Sequence, residues 1–256
     1  MADLGSELGF DPVHIVTVAV GHHGGPEAAA RIARYAAIEQ VRGEALVLLG
    51  HTADDQAETV LLGLGRGSGG RSIAGMRPES DGYLRPLLVL RRMQTQAACA
   101  ALGLPVWDDP HNSDHSFRRI RLRREVLPLL EDVLAGGVTE ALARTASQLQ
   151  ADLDTLDQIA GQSLAAALTP QGLRIDALAG QPDGIVSRCL KMWAELAGAG
   201  PLTAPHVIEL WRLVHDWHGQ GPIDLPGGFR VVRSSGTLRL VPPVTGYTSE
   251  TTNGGE

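Results

Sequence analysis

The sequence predicts an α/β fold in two parts: a parallel-sheet domain over residues 1–130, then a smaller, mainly helical domain over 131–256 that ends in a β-hairpin. Three observations lead there. Between Val13 and Gly65, β-branched apolar runs alternate with helical stretches, and strand–helix–strand–helix order implies a parallel sheet with crossover helices. From Ser116 onward the pattern turns mainly helical. Near the end, "FRVVRSSGTLRLVP" (Phe229–Pro242) places two strand-like runs around Ser-Ser-Gly, the pattern of a hairpin.

Each element follows from local chemistry. "VHIVTVAV" (Val13–Val20) is β-branched and reads as a buried strand, broken by "GHHGGP". "PEAAARIARYAAIEQV" (Pro26–Val41) is alanine-rich, with Pro26 suited to the first helical position and Glu27 to the first turn. "EALVLLG" (Glu44–Gly50) reads as the next buried strand, and "ADDQAETVLLGLG" as a helix. Past Gly70, "YLRPLLVL" is extended around Pro86. Arg91–Leu104 is a helix stopped by Gly103 and Pro105, and "PVWDDPHNSD" is a turn-rich link. Thr139–Leu168 is one long amphipathic stretch, and two more helices lie around "GIVSRCLKMWAEL" and "APHVIELWRLVHDW". The composition shifts near Arg124–Gly136, which marks the domain boundary, and the polar tail after Pro243 is expected to fray.

Composition excludes several classes. A chain of 256 residues with 43% hydrophobic and 20% charged residues is globular. No apolar run approaches the roughly 20 residues that span a bilayer, and "MADLGSELGF" lacks the basic start of a secretory signal. The two cysteines, Cys99 and Cys189, are far apart and form no Cys-x-x-Cys pair, so a reducing, cytoplasmic home is expected. A net charge of −7 argues against broad nucleic-acid affinity, yet "RRIRLRR" (Arg118–Arg124) packs five arginines into seven residues. That run reads either as a phosphate grip for RNA or as a solvated helix face paired with Glu125, Glu131 and Asp132. Trp193, Trp211 and Trp217 sit among Leu and Val and read as core, and His206, His215 and His218 read as structural. "GRGSGGRS" is either a mobile flap or an ordinary loop.

The chemistry concentrates in "ALVLLGHTADDQAETVLLGLGRGSGG" (Ala45–Gly70). His51, Asp54, Asp55 and Glu58 follow the end of a strand, where ligands bind in parallel α/β sheets. Helical spacing puts Asp54 and Glu58 on one face, with Asp55 near it. Such acids can hold magnesium with phosphate oxygens, or pair with and deprotonate an ammonium. Capping is the simpler alternative: Thr52 as N-cap with Asp55 three residues on. Capping needs neither His51 nor Glu58.

The same stretch resembles the tRNA(Ile)-lysidine synthetases of the N-type ATP-pyrophosphatase (PP-loop) superfamily. Four further segments agree: "EAAARIARYAAI", "RPLLVLRR", "DPHNSDHSFRRIRLRREVLP" and "IDLPGGFRVVRSSGTLRL". The resemblance implies a ligase that adenylates the C2 oxygen of the wobble cytidine with ATP and Mg2+, after which the lysine ε-amine displaces AMP. It implies tRNA(Ile) with a CAU anticodon and free L-lysine as partners, with a homodimer as one assembly and no membrane. Carried over by motif, Asp55, Glu58, Asp54 and His51 match the reaction pocket, and Arg31 matches an arginine facing it; Asp54 and Asp55 are the candidates for magnesium. Arg119 and Arg123 match basic residues beyond the asparagine motif, and Arg121 and Arg66 join them as candidates for tRNA and phosphate. The family's Ser-Gly-Gly-x-Asp-Ser loop, which cradles ATP phosphates, is not found in these residues, so the first domain is expected to be incomplete at its N-terminus and the ATP-binding residues stay unassigned. Two other readings stand beside this one: a catalytically incomplete tRNA-binding or regulatory remnant, and another PP-loop tRNA-modifying enzyme. The thiolases of that superfamily use paired cysteines, which this chain lacks.

Overall fold

The computed structural model describes residues 2–22, 25–67, 69–106 and 117–243. It divides into two compact units, Met1–Gln150 and Ala151–Glu256. No helix among the described residues is long and apolar enough to cross a membrane.

The first unit contains α1 (Ala2–Glu7), α2 (Pro26–Arg42), β1 (Val47–Leu48), α3 (Ala53–Arg66), α4 (Gly70–Ile73), β2 (Glu79–Ser80), β3 (Tyr83–Leu84), α5 (Arg92–Ala101), α6 (Arg118–Arg121) and α7 (Leu127–Val133). A π-helical turn, Leu122–Val126, joins α6 to α7. The unit also takes in the first part of α8 (Val138–Ala167). Its sheet is small. β1 pairs with β3 in parallel, Val47 opposite Tyr83 and Leu48 opposite Leu84, while β2 lies antiparallel on the far side of β3.

Two expectations are corrected here. Val13–Val20 forms no regular secondary structure and joins no strand ladder among the described residues, and Ile15 is 80% exposed. Likewise only Val47 and Leu48 of "EALVLLG" form a strand, and Leu46 and Leu48 are exposed. β-Branched composition favours a strand, but a ladder and burial both depend on neighbours: α2 lines one side of Val16–Ala19, while Ile15, Leu46 and Leu48 are left exposed.

Specific contacts brace the segments around α3. Gly63 lets α4 approach closely: a Cβ there would fall 2.0 Å from the Ser72 carbonyl oxygen. The Gln56 amide accepts from the Met76 N–H at 2.7 Å and donates to the Met76 carbonyl at 2.9 Å. Gln150 Nε2 donates to the Ala74 and Met76 carbonyls at 2.6 and 2.9 Å. At the start of α8 the Glu131 carboxylate accepts from the N–H groups of Val138 and Thr139, both at 3.0 Å. Those donors, against a small opposing effect of burial, hold the Glu131 carboxyl below its ordinary range.

The second unit builds α9 (Asp176–Ala179), α10 (Asp183–Leu196) and α11 (Ala204–His215) around a five-stranded antiparallel sheet. Its strands are β4 (Leu168–Thr169), β5 (Gly172–Arg174), β6 (Ile223–Asp224), β7 (Arg230–Ser234) and β8 (Thr237–Val241), in the order β4-β5-β8-β7-β6. The expected hairpin is β7–β8, and it forms the middle of this sheet rather than an appendage. Ser235 and Gly236 both take positive φ, 48° and 76°, as a tight two-residue hairpin turn requires. The core gathers Leu173, Leu178, Leu190, Leu210, Leu213 and Leu238, all fully buried. Trp193 joins it, and Trp211 packs at its edge while donating to Asp183 at 3.2 Å. Trp217 departs from the core expectation: it is 39% exposed, with the Arg233 guanidinium 5.2 Å from its ring.

Candidate active site

The site grows from the start of α3. Thr52 caps the helix: its N–H and its hydroxyl both donate to Asp55 Oδ2 at 2.8 Å. The capping reading is therefore correct for one oxygen of Asp55. Its other oxygen, Oδ1, accepts from Arg92 Nη2 at 2.6 Å and lies 3.6 Å from Arg123 Nη2. Asp54, one residue earlier, accepts from the backbone N–H of Arg92 at 2.7 Å and pairs with the Arg91 guanidinium at 3.2 Å. Burial works against ionisation of Asp54, but these donors outweigh it and hold its carboxyl below the ordinary range. Glu58, one turn further on, is fully buried. Its Oε1 accepts from Arg123 Nε at 2.7 Å and lies 3.6 Å from Arg92 Nη2; its Oε2 accepts from Arg123 Nη2 at 3.3 Å and lies 3.7 Å from Arg119 Nη1.

Two chain segments thus converge on α3. Arg91 and Arg92 come from the start of α5, and Arg119 and Arg123 from the helix that carries the π turn. Arg119 and Arg123, four residues apart, both turn toward α3, and the buried Leu127 lines a cavity with Asp54. π turns recur at functional sites. Arg91 also pairs with Glu140 at the start of α8. Asp54, Arg91, Arg123, Glu131 and Thr139 line a cavity of about 140 Å3 here. Burial lowers the basicity of Arg123, but the Glu58 carboxylate more than restores it, so this guanidinium stays charged.

His51 lies just before the cap. Burial lowers its pKa below the ordinary 6.5; Asp55 pulls the other way, and Arg85, Arg31 and Arg34 add to the lowering. Near neutral pH the ring is therefore uncharged.

The structure brings Asp54, Asp55, Glu58, Arg119 and Arg123 into one cluster. It leaves other sequence candidates outside. Arg31 lies exposed on α2, its guanidinium 4.8 Å from the centre of the Tyr35 ring. Arg121 pairs with Glu125 at 3.1 Å and is 61% exposed. Arg66 ends α3, exposed. Arg118 and Arg124 are also exposed, with no ion pair among the described residues. The asparagine segment at 109–114 lies outside the described residues, as do Ser68 of the glycine loop and the tail at 244–256. The sequence reading missed Arg91, Arg92 and Glu140. Its one signal was the quoted "RPLLVLRR", whose last two residues hold Asp54 and Asp55.

Among the described residues no group of three or more His, Cys, Asp or Glu side chains is arranged for a metal ion. Asp54 and Asp55 meet guanidiniums instead.

Comparison with known proteins gives this arrangement a context. A PP-loop domain model matches residues 8–130, and a TilS substrate binding domain model matches residues 173–239. A tRNA(Ile)-lysidine synthase of Mycolicibacterium paratuberculosis is 54% identical over 224 residues, covering 86% of this chain and 70% of the relative. One from Thermobifida fusca is 51% identical over 244 residues, covering 93% and 75%. One from Streptomyces coelicolor is 50% identical over 241 residues, covering 91% and 68%.

Proposed function

This chain belongs to the tRNA(Ile)-lysidine synthase family, and on that premise we propose that it ligates lysine to C2 of the wobble cytidine of tRNA(Ile), with the acid–arginine cluster on α3 as the reaction site. The observation that carries the reading is the composition of that cluster. Asp54, Asp55 and Glu58 face Arg91, Arg92, Arg119 and Arg123 at the end of a parallel strand. The reaction needs both signs of charge: guanidiniums for phosphates and carboxylates for a lysine ammonium.

ATP supplies the adenylate that turns the C2 oxygen into a leaving group. The chain's own part begins with four guanidiniums whose donor chemistry fits phosphate oxygens. In the arrangement described they are held by the carboxylates. A polyanion would compete for Arg92, whose guanidinium fork matches phosphate as it does carboxylate. Asp55 Oδ1 would then be free for the lysine ammonium, while Oδ2 stays on the helix cap. A carboxylate so placed can hold the ammonium and accept its proton before attack. Glu58 is fully buried, so its role in this reading is to anchor Arg123 rather than to meet lysine. Asp54 likewise anchors Arg91 and the start of α5. As arranged, Asp54 and Asp55 are engaged by guanidiniums and do not fit Mg2+. The exposed Arg118 and Arg124 are the arginines we assign to tRNA phosphates.

Mass analysis of the wobble nucleoside of tRNA(Ile) tests this. The chain is used as it stands and also extended with a relative's Ser-Gly-Gly-x-Asp-Ser segment ahead of Met1. The extended chain is expected to add the mass of one lysine residue to that nucleoside, dependent on ATP. Lysine found on a different nucleoside, or a mass gain without lysine, would refute the reading.

A further inference from the structure

We infer that Arg85 and His51 form a subsite for a small oxyanion at the carboxyl end of the β1–β3 pair. The two strands run parallel with Leu48 opposite Leu84, so Arg85 leaves β3 on the same side as the segment that carries His51 leaves β1. That is where parallel sheets present ligands.

Arg85 is unlike the arginines of the α3 cluster. Those four each meet a carboxylate. Arg85 is only 8% exposed, yet no carboxylate pairs with it among the described residues. Its Nη1 donates to the Arg77 carbonyl at 2.8 Å and to Ser80 Oγ at 3.2 Å, which fixes the guanidinium. Its Nε is buried with no hydrogen-bond partner. A buried cation with an unused donor is costly unless an anion completes it.

His51 carries the second unused atom: its Nδ1 is buried without a partner. Arg85, Arg31 and Arg34 disfavour a charge on the His51 ring, and Asp55 favours it. A neutral ring with its proton on Nδ1 would donate to the same oxyanion that accepts from Arg85 Nε. Nε of a fixed guanidinium together with the His51 ring N–H suits a carboxylate or a phosphate. The amino-acid α-carboxylate is the source if the lysine-transfer reading holds, and a nucleotide phosphate is the other source of the same chemistry.

The test reads the two atoms directly and does not depend on turnover, so a failure of lysine transfer leaves it intact. The isotope-labelled chain is titrated with L-lysine, inorganic phosphate, cadaverine (lysine without its carboxylate) and sodium chloride at matched ionic strength, with the Arg85 Nε–H and His51 ring resonances observed. Saturable shifts of both are expected with L-lysine or with phosphate, and neither cadaverine nor chloride should reproduce them. A response to lysine alone identifies a carboxylate subsite; a response to phosphate alone identifies a phosphate subsite. Arg85→Lys should weaken the effective probe at least about tenfold, because it keeps the charge but loses Nε. His51→Gln assigns the ring signal if Arg85→Lys does not fold. No shift with either anion, or an equal shift with cadaverine, overturns the inference.

Discussion

Arg123 donates through Nε to Glu58 Oε1 at 2.7 Å, joining residues 65 apart in the chain. Glu58 is fully buried and Arg123 is 30% exposed on its side chain. The pair therefore fixes the arginine-rich helix against α3, and it makes Glu58 an anchor as well as a site residue.

Removing one partner of such a pair strands the other. Glu58→Ala is expected to destabilise the chain by about 3 kcal/mol, the lower end for a broken buried pair because Arg123 retains some solvent. Glu58→Gln keeps the shape and one acceptor, so its loss should be smaller. Urea denaturation of the two variants checks the order. Equal, negligible losses would show that the pair contributes nothing.

Acid should loosen the first unit in two stages. The His51 pKa is lowered in the folded chain, mainly by burial, so the unfolded chain binds that proton first. Stability is then full above about pH 6.5, the unfolded value, and falls as pH drops below it toward the folded pKa. Asp54 is also lowered, so its contribution holds above about pH 3.9 and is lost as pH falls through its folded pKa. Urea midpoints measured from pH 8 to pH 5 should decline below 6.5, and His51→Gln should flatten that decline. An unchanged decline in the variant would assign it elsewhere.

Legibility followed range in the chain. The Thr52–Asp55 cap lies within one turn, and the sequence shows it directly. The long helix α8 announces itself by periodicity, and the β7–β8 turn by Ser-Ser-Gly. The Arg91 and Arg92 clamps are 37 or 38 residues from the acids they hold, and no local pattern reports such a contact. Inside "RRIRLRR" the residues look alike in sequence, yet Arg119 and Arg123 turn to Glu58 while Arg118 and Arg124 stay exposed. Val13–Val20 departs the other way: its β-branched pattern favours a strand, but the ladder partner a strand needs is not reported by local pattern, and the segment joins none among the described residues.

Arg118 and Arg124 should set part of the salt dependence of tRNA binding. Each phosphate neutralised contributes a log–log slope of roughly 0.7–0.9. Arg118→Ala with Arg124→Ala should thus flatten the slope by about 1.4–1.8 without loss of fold. Arg121→Ala should do less, since Arg121 is held by Glu125. Fluorescence anisotropy across a salt series separates these; an unchanged slope in the double variant would return the run to a solvated helix face.

The most direct test of the lysine site is Asp55→Asn in the chain extended with the loop segment, assayed by ATP-dependent incorporation of labelled lysine into tRNA(Ile). The cap survives the change, because the amide oxygen can still accept from Thr52, so circular dichroism should be unaltered. Loss of the charge that holds the ammonium is worth about 2–5 kcal/mol in a desolvated pair, so incorporation should fall at least about thirtyfold. Incorporation near that of the unsubstituted chain would show that Asp55 serves α3 alone, and would contradict the proposed site.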